Sequence, residues 1–127
     1  MKKIFLWIKA AGIFLIALGC IHVAASPFVL HSYNNLNEVQ TLEFLFMFIT
    51  SGLGVILCGI VTLLELRLLK QKSKQAWIVL MVCSVYSTIM GIGAVATMMY
   101  NPFAYIMFFC GILLLVPVLI AKKEIEA

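Results

Sequence analysis

All nine basic residues of this 127-residue chain fall on one side of a four-pass membrane arrangement. Lys2, Lys3 and Lys9 stand at the start of the first apolar run, Arg67, Lys70, Lys72 and Lys74 between the second and third, and Lys122 and Lys123 after the fourth. The two remaining connections, roughly 26–40 and 99–102, contain neither Lys nor Arg. Short loops rich in Lys and Arg stay in the cytoplasm. The pattern therefore predicts span number and orientation together: four spans, with N-terminus and C-terminus both cytoplasmic, in a cell's inner (plasma) membrane. It says where the chain resides and leaves its ligand or partner open.

Composition agrees with that reading. Charged residues make up 11% of the chain and hydrophobic ones 65%, where a soluble domain carries about 25% charged residues. The net charge of +4 belongs to residues flanking apolar segments, where they meet anionic headgroups, so nucleic acid is not an expected partner. Backbone groups in lipid must be satisfied within the segment, which makes each span a helix, and none of the runs alternates as a barrel strand does. The expected fold is all-α: a single transmembrane domain, an antiparallel up-down-up-down four-helix bundle, with spans at about 4–28, 41–69, 76–99 and 103–121.

The N-terminus carries Lys2 and Lys3, an apolar run and then Ala24-Ala25-Ser26, an order that imitates an export signal. A cleavable signal has an apolar core of about 7–15 residues. The run from Ile4 to Ala25 is longer and followed by Pro27, so it reads as a retained helix. The four cysteines, Cys20, Cys58, Cys83 and Cys110, fall one per span without a C-x-x-C pair. This spacing argues for small buried apolar residues rather than a thioredoxin-like dithiol.

Close backbone approach through small residues holds helices together in a bilayer. Span three offers Ser84, Ser87, Gly91 and Ala94 at helical steps, span one offers Ala17, Cys20 and Ala24, and span two offers Gly54 and Cys58. On span two the stripe Glu43, Met47, Thr50 or Ser51, Gly54, Cys58, Thr62 and Glu65 is expected to face the interior. Phe46, Phe48, Leu53, Leu57 and Leu64 are expected to face lipid.

His22 is the residue most suggestive of chemistry. An ionisable group in the outer third of a span is costly and faces the bundle interior; there it either bonds a neighbouring helix or anchors a ligand. Glu43 enters from the same side at a helix N-terminus, which suits its charge. His31, Tyr100 and Asn101 lie near the same level, and Thr50 lies further along the Glu43 stripe. Together they form the candidate ligand-binding set, an outward-facing polar pocket. No H-x-x-x-H or H-E-x-x-H spacing supports a metal, so no metal, cofactor or catalytic set is expected. On the inner side Lys9 and Glu65 could pair between spans one and two, but Glu65 reads better as a cytoplasmic boundary residue. The chain contains no Asp, which excludes DxD and DxxD metal–phosphate motifs, and it has no phosphate-binding glycine loop and no nucleophile elbow.

The run Leu18-Gly19-Cys20-Ile21-His22, followed by Pro27 and a glycine-broken second span, resembles small uncharacterised four-helix bacterial membrane proteins with G-x-x-H in the first helix. That resemblance covers about half of the chain and implies the fold without an activity. Small multidrug-resistance transporters share the size and pass number, but their first-helix membrane glutamate is missing here. The expected function is therefore non-enzymatic: binding of a small or lipid-like ligand, or of a membrane partner, near His22 and Glu43. A small oligomeric transporter or channel, an accessory subunit of a larger membrane complex, and a membrane enzyme using His22 as acid or base are the alternatives. The bilayer, a second copy of the chain or a larger membrane protein are the expected partners.

Overall fold

A computed structural model of the chain describes residues 2–32 and 35–126, with the side chains of Lys2, Glu124 and Glu126 excepted. These residues form four helices, α1 (Lys2–His31), α2 (Glu38–Lys70), α3 (Lys74–Thr97) and α4 (Pro102–Glu126). Each is long and apolar enough to cross a membrane. The shortest, α3, has 24 residues, or about 36 Å at 1.5 Å per residue, against a hydrocarbon core of about 30 Å. Three helices outrun the expected apolar spans at both ends, because hydrogen-bonded turns continue past the last apolar residue. In α1 the helix passes Pro27 and ends at His31. Only α3 stops short of its expected end, at Thr97, where Met98 leaves helical geometry at φ −130°.

The caps explain the boundaries. The Asn37 side chain accepts the Gln40 N–H at 2.9 Å and the Gln40 side chain accepts the Asn37 N–H at 3.1 Å, a reciprocal box that starts α2. The Ser73 side chain accepts the Ala76 N–H and starts α3. The Asn101 side chain accepts the Phe103 N–H at 3.0 Å, and Pro102 supplies a first turn with φ already set. At the end of α2 the Ser73 N–H reaches the Leu68 carbonyl and the Lys72 N–H reaches that of Leu69, a Schellman closure. That closure puts Lys72 at φ 61°, where a β-carbon costs about 1–2 kcal/mol. Lys72→Gly should therefore raise the stability of the detergent-solubilised protein by about 1 kcal/mol in reversible unfolding.

The helices pack in a ring, each against its neighbours in chain order, with α4 closing onto α1. The α1–α2 and α3–α4 contacts are extensive, and the two pairs meet each other more thinly. Glycines decide the close contacts. A methyl group at Gly19 would stand 2.7 Å from the Gly52 carbonyl oxygen, and one at Gly59 would stand 2.7 Å from that of Gly12. Gly12 and Gly19 are one heptad apart on α1, as are Gly52 and Gly59 on α2, so one seam carries two backbone-on-backbone crossings. Between α3 and α4, Gly91 meets the backbone of Phe108, and a methyl at Gly111 would stand 2.7 Å from the Cα of Thr88. Between α2 and α3, Gly54 receives the Tyr86 hydroxyl.

This seam differs from the small-residue stripe expected on α1. Ala17, Cys20 and Ala24 lie exposed on the outside of the bundle, and the contact with α2 runs through Gly12 and Gly19 instead. Alanine and cysteine are compatible with lipid; only a residue without a β-carbon allows the two backbones this close. Ser84 and Ser87 are fully buried. Phe46, Leu53, Leu57 and Leu64 are exposed, on the face expected to meet lipid. Phe48 departs from that face: it is half-buried and turned toward α1. Ile8, Leu15, Leu80, Leu114 and Val118, each with no exposed surface, form the apolar centre. The hydroxyls of Thr62, Ser84 and Thr88 donate to carbonyls of their own helices at 2.7, 2.8 and 2.8 Å, which satisfies them without water.

Candidate functional site

His22 sits half-buried on α1, facing α2. Its Nε2 lies 3.1 Å from Ser51 Oγ. Ser51 Oγ also lies 2.9 Å from the Phe48 carbonyl oxygen. A hydroxyl has one proton to give and two lone pairs, so the direction of the His22–Ser51 bond follows the imidazole tautomer. Nδ1 is the ring nitrogen that this bond leaves open. The imidazole also stacks on the Phe48 ring, 4.6 Å between centroids and 2° from parallel. Phe48 in turn stacks on Phe44 at 5.1 Å. One turn further along α1, buried Ser26 donates to the His22 carbonyl at 3.0 Å. The next residue, Pro27, has no N–H to offer the carbonyl of Val23. Gly52 is what lets the imidazole approach, since a methyl there would stand 3.2 Å from His22 Cδ2.

The other candidates do not join this cluster. Glu43 is exposed. It precedes Phe44 by one residue and so points about 100° round the helix from the face that meets α1. Met47 and Thr50, on the Glu43 side, are exposed as well, and the Thr50 hydroxyl donates to the Phe46 carbonyl at 2.6 Å. Glu43, Met47 and Thr50 of the stripe expected to face inward are therefore on the outside, whereas Ser51, Gly54, Cys58 and Thr62 lie at helix contacts. His31, the last residue of α1, is exposed. Tyr100 is 98% exposed in the connection between α3 and α4. Asn101 is spent on capping α4. Lys9 and Glu65 form no ion pair. Among the described residues, no three His, Cys or Glu side chains converge as a metal set would.

A second polar cluster lies at mid-span. Cys58 on α2 and Cys83 on α3 are neighbours across the α2–α3 contact, with Ser87 beside Cys58. Ser87 Oγ is fully buried and makes no hydrogen bond. The spacing of cysteines along the chain argued against a thioredoxin-like dithiol; helix packing brings two cysteines of different helices near each other. Of the two partners of His22, Ser51 was one of two residues considered for the inward stripe and Phe48 was expected to face lipid. Their one signal was position: both share the α2 face that carries Gly52 and Gly59.

The chain matches no family model, and comparison with curated proteins and with solved structures finds no significant similarity.

Proposed function

We propose that this is a non-enzymatic, multi-pass protein of the inner (plasma) membrane. It binds a small or lipid-like ligand near the outer ends of α1 and α2, with His22 as the anchoring group. The carrying observation is the placement of the imidazole: Nε2 is engaged by Ser51 and the ring plane is fixed by Phe48, while Nδ1 is left open. A side chain held by two partners and offering its third group is pre-organised to hydrogen-bond a ligand. The orientation that makes this end the outer one is also a proposal: antiparallel spans, with both termini and the α2–α3 link cytoplasmic. Its support is the placement of all nine basic residues. The contacts Gly12 with Gly59, Gly19 with Gly52, and Gly91 with Phe108 agree, because positions fall along one helix as they rise along the next.

The test is extraction and mass spectrometry of small molecules retained by the purified protein, beside a His22→Ala variant and a Glu43→Gln variant. A species retained by the parent and by Glu43→Gln, and reduced about tenfold or more in His22→Ala, is the expected result; one lost hydrogen bond to a buried group is worth about 1–3 kcal/mol. Equal retention by parent and His22→Ala, or nothing retained by the parent, would reject the reading.

A further inference from the structure

At the opposite end of α1 from His22, the thin α1–α4 contact leaves an apolar groove of about 350 Å³. It is lined by Ile4 and Trp7 of α1 and by Phe109, Leu113, Val116 and Ile120 of α4, among others. The volume is at the low end of ligand pockets, about 300–1,000 Å³. Its lining is almost wholly apolar side chains, which suits a hydrocarbon chain.

Its end is marked by charge. Phe109, Leu113, Val116 and Ile120 follow one helical face, and the next residue on that face is Lys123. On α1, Lys3 stands one turn before Trp7 on the same side. Lys3 and Lys123 are both exposed. Trp7 is 55% exposed, so its apolar ring lines the groove while its edge remains accessible, as for tryptophans at the headgroup level. The neighbouring cations differ: Lys122 lies over the Trp77 ring at 5.7 Å and Lys70 over the Phe5 ring at 6.0 Å.

We propose that this groove is a binding site for an anionic phospholipid, with one acyl chain between α1 and α4 and the phosphate between Lys3 and Lys123. The apolar floor supplies chain affinity, and the two lysines supply headgroup selectivity. The site does not depend on the ligand proposed at His22, nor on which leaflet the groove faces, because symmetric vesicles offer the lipid on both sides.

Trp77→Phe leaves Trp7 as the only tryptophan, and retained helicity by circular dichroism would show that the fold survives. The protein is reconstituted in phosphatidylcholine vesicles that contain a small, equal fraction of brominated phosphatidylglycerol or brominated phosphatidylcholine, and Trp7 quenching is read. The expected result is preferential association of the anionic lipid, about fivefold per lysine. That preference should disappear when Lys3→Gln and Lys123→Gln are added. Equal quenching by the two brominated lipids would overturn the proposal, as would a preference unchanged in the double glutamine variant. Protection of Trp7 from both lipids in a dimer would also overturn it, in favour of a second copy of the chain.

Discussion

Gly59→Ala should cost this protein about 1–3 kcal/mol and loosen α1 from α2, although it adds only a methyl group. The added carbon would stand 2.7 Å from the Gly12 carbonyl oxygen, 2.7 Å from Ile16 Cγ1 and 3.0 Å from the Ile16 amide nitrogen. Two of those three atoms are backbone, so no side-chain rotation relieves the clash; the helices must separate. Overpacking in a close-packed interior costs about 1–3 kcal/mol, and separation also forfeits the dispersion contacts that hold helices together in lipid. Gly19→Ala meets the Gly52 carbonyl oxygen at the same 2.7 Å and should behave alike. The double variant should cost less than the sum of the singles, because both changes push the same pair of helices apart. Gly93→Ala is the control. A methyl there meets nothing within 4 Å, and alanine is the better helix former by about 1 kcal/mol. Reversible unfolding in mixed micelles, followed by far-ultraviolet circular dichroism, measures all four. Gly59→Ala as stable as Gly93→Ala would show that the α1–α2 seam is misplaced.

Mild oxidation should join Cys58 to Cys83 and leave Cys20 and Cys110 as free thiols. Cys58 and Cys83 are neighbours across the α2–α3 contact, whereas Cys20 is exposed and Cys110 is buried in α4. With a diazenedicarboxamide as oxidant, two S–H bonds are lost, one S–S bond forms, and the oxidant takes up two electrons and two protons to become the hydrazine. Proximity converts this into an intramolecular reaction, so it should outrun any pairing that requires two molecules to meet. Mass spectrometry of proteolytic fragments should find the 58–83 cross-link in most of the protein, and Cys83→Ser should abolish it without affecting cross-linking between molecules. A dominant intermolecular Cys20–Cys20 link would mean that α2 and α3 do not meet in this register.

These two experiments probe the parts of the structure that were hardest to read from the chain. The four helices were legible because each is a long apolar run between charged or turn-forming segments, and hydrocarbon leaves no alternative to the helix. The α1 seam was misread by phase. Ala17, Cys20 and Ala24 have the right rhythm, yet Gly12 and Gly19 have the right chemistry, since only the missing β-carbon permits a carbonyl 2.7 Å from where it would be. The candidate site was half legible. His22 stood out as an ionisable group inside a span, and its partner Ser51 was one of two residues considered for that face. Glu43 was grouped with it by depth and by a stripe read one residue out of phase, and one residue along a helix is about 100° of rotation. The Cys58–Cys83 pair could not be foreseen, because its two members belong to different helices and spacing within a chain says nothing of register between helices.

The most direct test of the whole account is cysteine accessibility in intact cells. In a background with the four native cysteines replaced, Asn35→Cys and Gln71→Cys are introduced singly at exposed positions between α1 and α2 and between α2 and α3. A membrane-impermeant maleimide should label Asn35→Cys in intact cells and Gln71→Cys only after lysis. Labelling of Gln71→Cys from outside intact cells, with Asn35→Cys protected, would contradict the orientation and move His22 to the cytoplasmic side.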